Sequence, residues 1–177
     1  VGGISMGAAI ALRLAVTRPD LVSHLLLIRP AWDTEAAPPN MDPNAEVGLA
    51  LMRLPTAEAR EAFLSSPTAQ TLANTSPDNL ASLTGFFDRT PVSRTAILLT
   101  SISRDGPGVT PADLAALKIP TIVAGCTGDS IHPLALSKDL AAMIPNATHI
   151  TLPEKGRDKP AHIAALHGAI TQFLTRI

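Results

Sequence analysis

The chain has no tyrosine, one tryptophan and four phenylalanines, so aromatics make up 3% of its 177 residues. Stacking platforms for single-stranded nucleic acid need such rings, and lysine and arginine never cluster in a chain whose net charge is −1. Both features argue against a nucleic-acid partner. The longest apolar runs, "HLLLI" and "PTIVAG", fall far short of the ~20 residues that span a bilayer, so no membrane partner is expected. With no secretory leader in view, a cytoplasmic protein is the expectation. A single cysteine, Cys126, makes no intrachain disulfide and no thiolate metal cluster. It lies in an apolar run and reads as a small core residue.

What is abundant is apolar: hydrophobic residues reach 46% against 16% charged. A chain of this length and composition can bury about 70% of its unfolded surface in one core. "GAAIALRLAVTR" (7–18) is a run of good helix formers closed by Pro19. "SHLLLIRP" (23–30), "KIPTIVAGC" (118–126) and "ATHITLP" (147–153) are short and continuously apolar, as strands buried on both faces of a parallel sheet are. Helices are expected over 133–143 and 160–176. Between Trp32 and residue 110 the pattern changes. A proline-rich acidic loop leads into amphipathic segments near 45–54, 56–65, 77–88 and 91–103, with Ser76-Pro77 and Thr90-Pro91 as helix starts. Thr110 to Asp113 has capping-box spacing. The fold class is thus α/β: a parallel sheet built from residues 1–32 and 111–177, with a helical insertion over 33–110.

The opening "VGGISMGAAI" carries Gly3-Ile4-Ser5-Met6-Gly7, a G-x-S-x-G pattern directly ahead of a helix. A chain that turns from strand to helix so abruptly lifts the serine hydroxyl clear and excludes bulk two positions either side. The Met6 amide, at a helix N-terminus, is placed to donate to a developing oxyanion. The pattern arises by chance in about one chain in twenty of this length. The phosphate-binding motifs G-x-x-x-x-G-K-[ST] and G-x-G-x-x-G do not fit these residues.

"GGISMG", "RPDLVSHLLLIRPA", "LAALKIPTIVAGCTGDSIHP" and "MIPNATHITLPEKGRDKPAHIAALHGAITQFL" together resemble the α/β-hydrolase family. The resemblance runs the length of the chain and is weakest in the insertion, which matches the family's variable lid in placement. It implies a Ser–acid–His triad in that order, no cofactor and no metal. It also implies that Val1 ends the strand before the nucleophile turn, so that the family's N-terminal strands, with a second oxyanion amide, would lie upstream. The sheet is then expected to be completed by a preceding segment or by a second copy in a homo-oligomer.

Catalytic groups in such sheets gather at the carboxyl ends of strands. Asp129, after the 119–126 strand, is the expected acid, with Asp33 the runner-up. Of five histidines, His24 and His149 fall toward the opposite edge, and His132 is read as helping to start the next helix. His162 lies nearer the strand ends than His167 and is the expected base. In most relatives a histidine directly follows a glycine after the last strand, where this chain has Gly156-Arg157. Either a longer loop returns His162 to Ser5, or Arg157 marks a non-catalytic, ligand-binding relative. The expected enzyme is a serine hydrolase of a small ester or related acyl substrate. Met52, Phe86 and Phe87 are candidate substrate-binding residues, with Leu49 and Phe63 as further pocket wall. C–C hydrolases, thioesterases and cofactor-free haloperoxidases of the same fold remain alternatives.

Overall fold

In the computed structural model, which describes residues 1–175, four parallel strands stand in the order β1 (Gly2–Ile4), β2 (Leu25–Ile28), β3 (Thr121–Cys126) and β4 (Ala147–Leu152). Helix α1 (Met6–Thr17) joins β1 to β2. Then come α2 (Asp42–Arg53), α3 (Thr56–Leu64), α4 (Pro67–Thr75), α5 (Pro77–Thr84) and α6 (Val92–Ile102). Helix α7 (Pro111–Ala116) precedes β3, α8 (Leu134–Met143) links β3 to β4, and α9 (Lys159–Leu174) closes the described chain. Position 176 of the expected last helix lies outside the described residues. The chain divides into two compact units: residues 1–36, 106–128 and 132 onward, and residues 37–105 with 129–131.

The sheet unit follows from period-two burial. Leu25, Leu27 and Val123 face one side, packed with Ala8, Ala11, Leu12 and Ala15 of α1 and with Leu140 of α8. Ile28, Ile122, Ala124 and Cys126 face the other, against Leu166, Ile170 and Phe173 of α9. Every residue of β3 is buried, as its unbroken apolar run requires. Cys126 is a buried thiol, as expected of a small core residue. The Thr110 capping box forms: its hydroxyl accepts from the Asp113 amide, and the Asp113 carboxylate accepts from the Thr110 amide at 2.8 Å. At the other side of the sheet β1 pairs, among the described residues, with β2 alone, and Ile4 and Ile10 are exposed.

Close packing between β3 and α8 depends on Gly125. A Cβ there would meet Ser137 Oγ at 2.3 Å. That hydroxyl donates to the Leu134 carbonyl and sits 3.0 Å from His149 Nε2. With its proton committed to a carbonyl, Ser137 is a packed core group. Burial, assisted by Lys138, holds the His149 imidazole below its ordinary value. The unfolded chain therefore binds the proton more readily, so His149 supports folding above about pH 6.5 and that support fades as pH falls. In a pH series of urea unfolding, the wild type is expected to lose stability below that point more steeply than His149→Gln.

In the helical unit, Phe63 and Phe87 pack with ring centroids 5.9 Å apart, and Gly48 lets α2 approach α6 so closely that a Cβ would meet the Thr100 methyl at 2.9 Å. Two details differ from the sequence reading. Helix α4 was unexpected, although Ser66 caps it by accepting from the Ala69 amide and Pro67 begins it. Helix α6 starts at Val92, so Pro91 is its N-cap residue rather than its first turn.

Candidate functional site

Ser5 and Arg29 leave the sheet at the same level. Ile4 pairs with Ile28, and Ile28 with Ala124. The next amides then close the ladder, Ser5 N–H donating to the Ile28 carbonyl at 3.0 Å and Arg29 N–H to the Ala124 carbonyl at 2.6 Å. Both residues adopt left-handed backbone, φ 56° and 45°. Such conformations are disfavoured for side-chain-bearing residues and recur at functional turns. Ser5 is the N-cap of α1 without a side-chain capping bond, so its hydroxyl is not spent on the helix. Met6 is the first residue of α1, where backbone N–H groups have no helical partner.

The two motif glycines are not equivalent. A Cβ on Gly3 would lie 2.1 Å from both the carbonyl carbon and the oxygen of Gly7, whereas a Cβ on Gly7 meets nothing within 4 Å. The steric demand expected of both falls on Gly3 alone.

The base expected for Ser5 is elsewhere. His162, 4% exposed, places Nδ1 2.8 Å from the Pro153 carbonyl oxygen and so donates to it. Ser5 Oγ instead has His132 Nε2 at 2.8 Å. His132, read as a helix starter, plays no such part, because α8 begins at Leu134 with Pro133 as its N-cap. It is 8% exposed, with Nδ1 3.3 Å from Arg29 Nη2. Arg157, at the place where the resemblance leads one to expect histidine, is exposed.

Of the two candidate acids, Asp33 closes its own turn, its Oδ1 accepting from the amides of Thr34 and Glu35. Asp129 is 8% exposed, and its Oδ1 accepts from Asn79 Nδ2 at 3.0 Å. The same side chain works twice, for Asn79 Oδ1 accepts from the Ser130 amide at 2.7 Å and the Ile131 amide at 3.3 Å. Ser76 Oγ bonds Ser130 Oγ at 2.6 Å, and Asn40 Nδ2 donates to the Ile131 carbonyl at 2.8 Å. Sequence reasoning missed all three residues of this clasp. Asn79→Ala strips an acceptor from two amides and a donor from a buried carboxylate. It is expected to lower unfolding free energy by about 3 kcal/mol, as read by urea denaturation.

Among the candidate substrate-binding residues, Met52 is exposed, Phe86 is half-buried beneath the Arg89 guanidinium, and Phe87 is buried in the helical unit. Leu49 and Phe63 line a groove with Glu46, Ala50, Arg53, Leu54 and Ala62. Among the described residues no cluster of three or more histidine, cysteine or acidic side chains could hold a metal. No described helix is long and apolar enough to cross a membrane.

No protein-family model matches the chain, and no curated protein matches it in sequence. Solved structures do. The acetyl esterase MekB is 20% identical with a TM-score of 0.71, covering 99% of this chain and 61% of its own. A thermophilic esterase from Thermogutta terrifontis is 20% identical at TM-score 0.66, covering 99% and 64%. The enol-lactonase from Burkholderia xenovorans is 22% identical at TM-score 0.64, covering 98% and 64%. The chain thus spans less than two thirds of the length of these three enzymes. Four parallel strands, a serine on a strained strand–helix turn and these matches show that the chain has the α/β-hydrolase fold over the part it spans.

Proposed function

We propose that this chain carries the nucleophile and base of a serine hydrolase acting on a small ester or related acyl substrate. The observation that carries the reading is the 2.8 Å contact between Ser5 Oγ and His132 Nε2 at the strained turn. A serine hydroxyl is a poor nucleophile until a base lies within hydrogen-bond reach. Ser5 Oγ adds to the acyl carbon as its proton passes to His132 Nε2, and the leaving alcohol takes that proton as the C–O bond breaks. Water then repeats the sequence, its proton passing through His132 to Ser5 Oγ. The Met6 amide donates to the oxyanion in both steps, and Asp129 is the proposed orienting acid. The esterase and enol-lactonase matches support acyl chemistry of this kind.

The commitment of His162 to Pro153, with Arg157 in the usual histidine place, favours a second reading, a ligand-binding protein without catalysis. A fluorophosphonate probe separates the two. Intact mass is expected to rise by one adduct in the wild type and not in Ser5→Ala. A folded, intact protein that takes no adduct would sink the hydrolase reading.

A further inference from the structure

The base does not stand on regular structure. β3 ends at Cys126 and α8 begins at Leu134, so neither a strand ladder nor a helix holds the chain between Asp129 and His132. Backbone groups there still need partners, and they find them on side chains. Asn79 Oδ1 accepts from the Ser130 and Ile131 amides at 2.7 and 3.3 Å, and Asn40 Nδ2 donates to the Ile131 carbonyl at 2.8 Å. Ser76 Oγ meets Ser130 Oγ at 2.6 Å. Residues 129–131 accordingly group with 37–105, while His132 belongs to the sheet unit. One peptide bond separates the last anchored residue from the base.

The side chain at 79 suits this task chemically. Amide N–H groups only donate, and an ionised carboxylate only accepts. With its oxygen taken by two amides, Asn79 has its nitrogen left to donate to Asp129 Oδ1, at 3.0 Å. One side chain, 3% exposed, thus grips the proposed acid by its carboxylate and the approach to the base by its backbone. A hydrocarbon here would satisfy neither, and a carboxylate would set charge against charge.

We propose that Asn79 is a positioning residue for acyl transfer, holding residues 129–131 so that His132 Nε2 meets Ser5 Oγ in the geometry the reaction needs. This rests on the Ser5–His132 reading given above. Asn79 acts through the peptide that carries His132 and through the carboxylate of Asp129. A base displaced by about 1 Å costs about a hundredfold in rate, so loss of the hold shows in kcat rather than in KM. The insertion, placed where the family's variable lid lies, then also sets the reactivity of the nucleophile.

Hydrolysis of p-nitrophenyl acetate and the rate of fluorophosphonate labelling test this on the intact protein, below the melting transition of every variant. Asn79→Leu removes acceptor and donor together at nearly constant volume. It is expected to lower kcat and the labelling rate by about a hundredfold and to leave KM within about threefold of wild type. Asn79→Gln keeps the carboxamide one methylene further out and is expected to recover about tenfold of that loss. Leu99→Ala controls for stability alone. Leu99 is buried at the contact between α2 and α6, and its truncation weakens the same helical unit without removing a hydrogen bond to 129–131. That variant is expected to melt earlier yet label at the wild-type rate. If Asn79→Leu does not fold, Asn40→Leu, which gives up the bond to the Ile131 carbonyl, carries the test, with kcat expected to fall about tenfold at unchanged KM. Wild-type kcat in folded Asn79→Leu, equal losses in Asn79→Leu and Leu99→Ala, or, in the second case, wild-type kcat in Asn40→Leu would overturn the proposal and leave Ser5 and His132 in their roles. A wild type that takes no adduct would instead sink the hydrolase reading, and the positioning role with it.

Discussion

His132→Ala is expected to slow both acyl transfer and fluorophosphonate labelling of Ser5 by about a thousandfold or more, with the fold intact. His162→Ala is expected to leave labelling within about threefold of wild type and to lower stability instead, by about 1–3 kcal/mol, the cost of losing a buried hydrogen bond. The two histidines separate because their nitrogens are spent differently. His132 Nε2 is 2.8 Å from the nucleophile. His162 is 4% exposed and committed to the Pro153 carbonyl, close to where β4 ends and α9 begins. Labelling rates at fixed probe concentration, paired with thermal melts of both variants, read out the contrast. If His162→Ala loses labelling and His132→Ala keeps it, the base is His162 and the resting contact at Ser5 is not the catalytic one.

The sheet was legible because its information is local. "HLLLI" and "PTIVAGC" carry their burial in consecutive residues, and parallel strands buried on both faces read as unbroken apolar runs. The serine turn was legible for the same reason, since motif and following helix lie within a few residues. The base was not. His132 and Ser5 are 127 positions apart, and whether a histidine three residues past Asp129 returns to the serine depends on the path of one loop. Pro133 beside it is a strong helix-start signal, and it drew His132 into the helix. The clasp was invisible for a like reason: Asn79 inside an amphipathic helix, Asn40 in a proline-rich stretch and Ser76 at a helix start all read as solvated or capping until tertiary structure brings them to the 130–131 segment. Ser76 shows both sides. The Ser-Pro pair correctly starts α5, but its hydroxyl goes to Ser130 and forms no side-chain cap.

The motif glycines give the second large effect. Gly3→Ala is expected to destabilise by at least about 3 kcal/mol, because the new methyl would sit 2.1 Å from the Gly7 backbone. Backbone at the first turn of α1 cannot yield as the end of a flexible side chain can. Relief requires moving α1 relative to β1, and α1 packs Ala8, Ala11, Leu12 and Ala15 into the sheet core. A loss of that size lowers the melting temperature of a chain this long by about 6–12 °C. Gly7→Ala is the opposite case. Its Cβ position is open and its backbone is helical, so alanine is expected to stabilise by about 0.5 kcal/mol through helix propensity and reduced unfolded-state entropy. Thermal melts of the two variants should therefore move in opposite directions. A stable Gly7→Ala that labels slowly would place the open space above Gly7 in the path of the acyl group, giving this glycine a role in substrate approach. A Gly3→Ala as stable as wild type would mean that α1 and β1 can separate, and the strained φ of Ser5 would no longer be tied to the packing of these two elements.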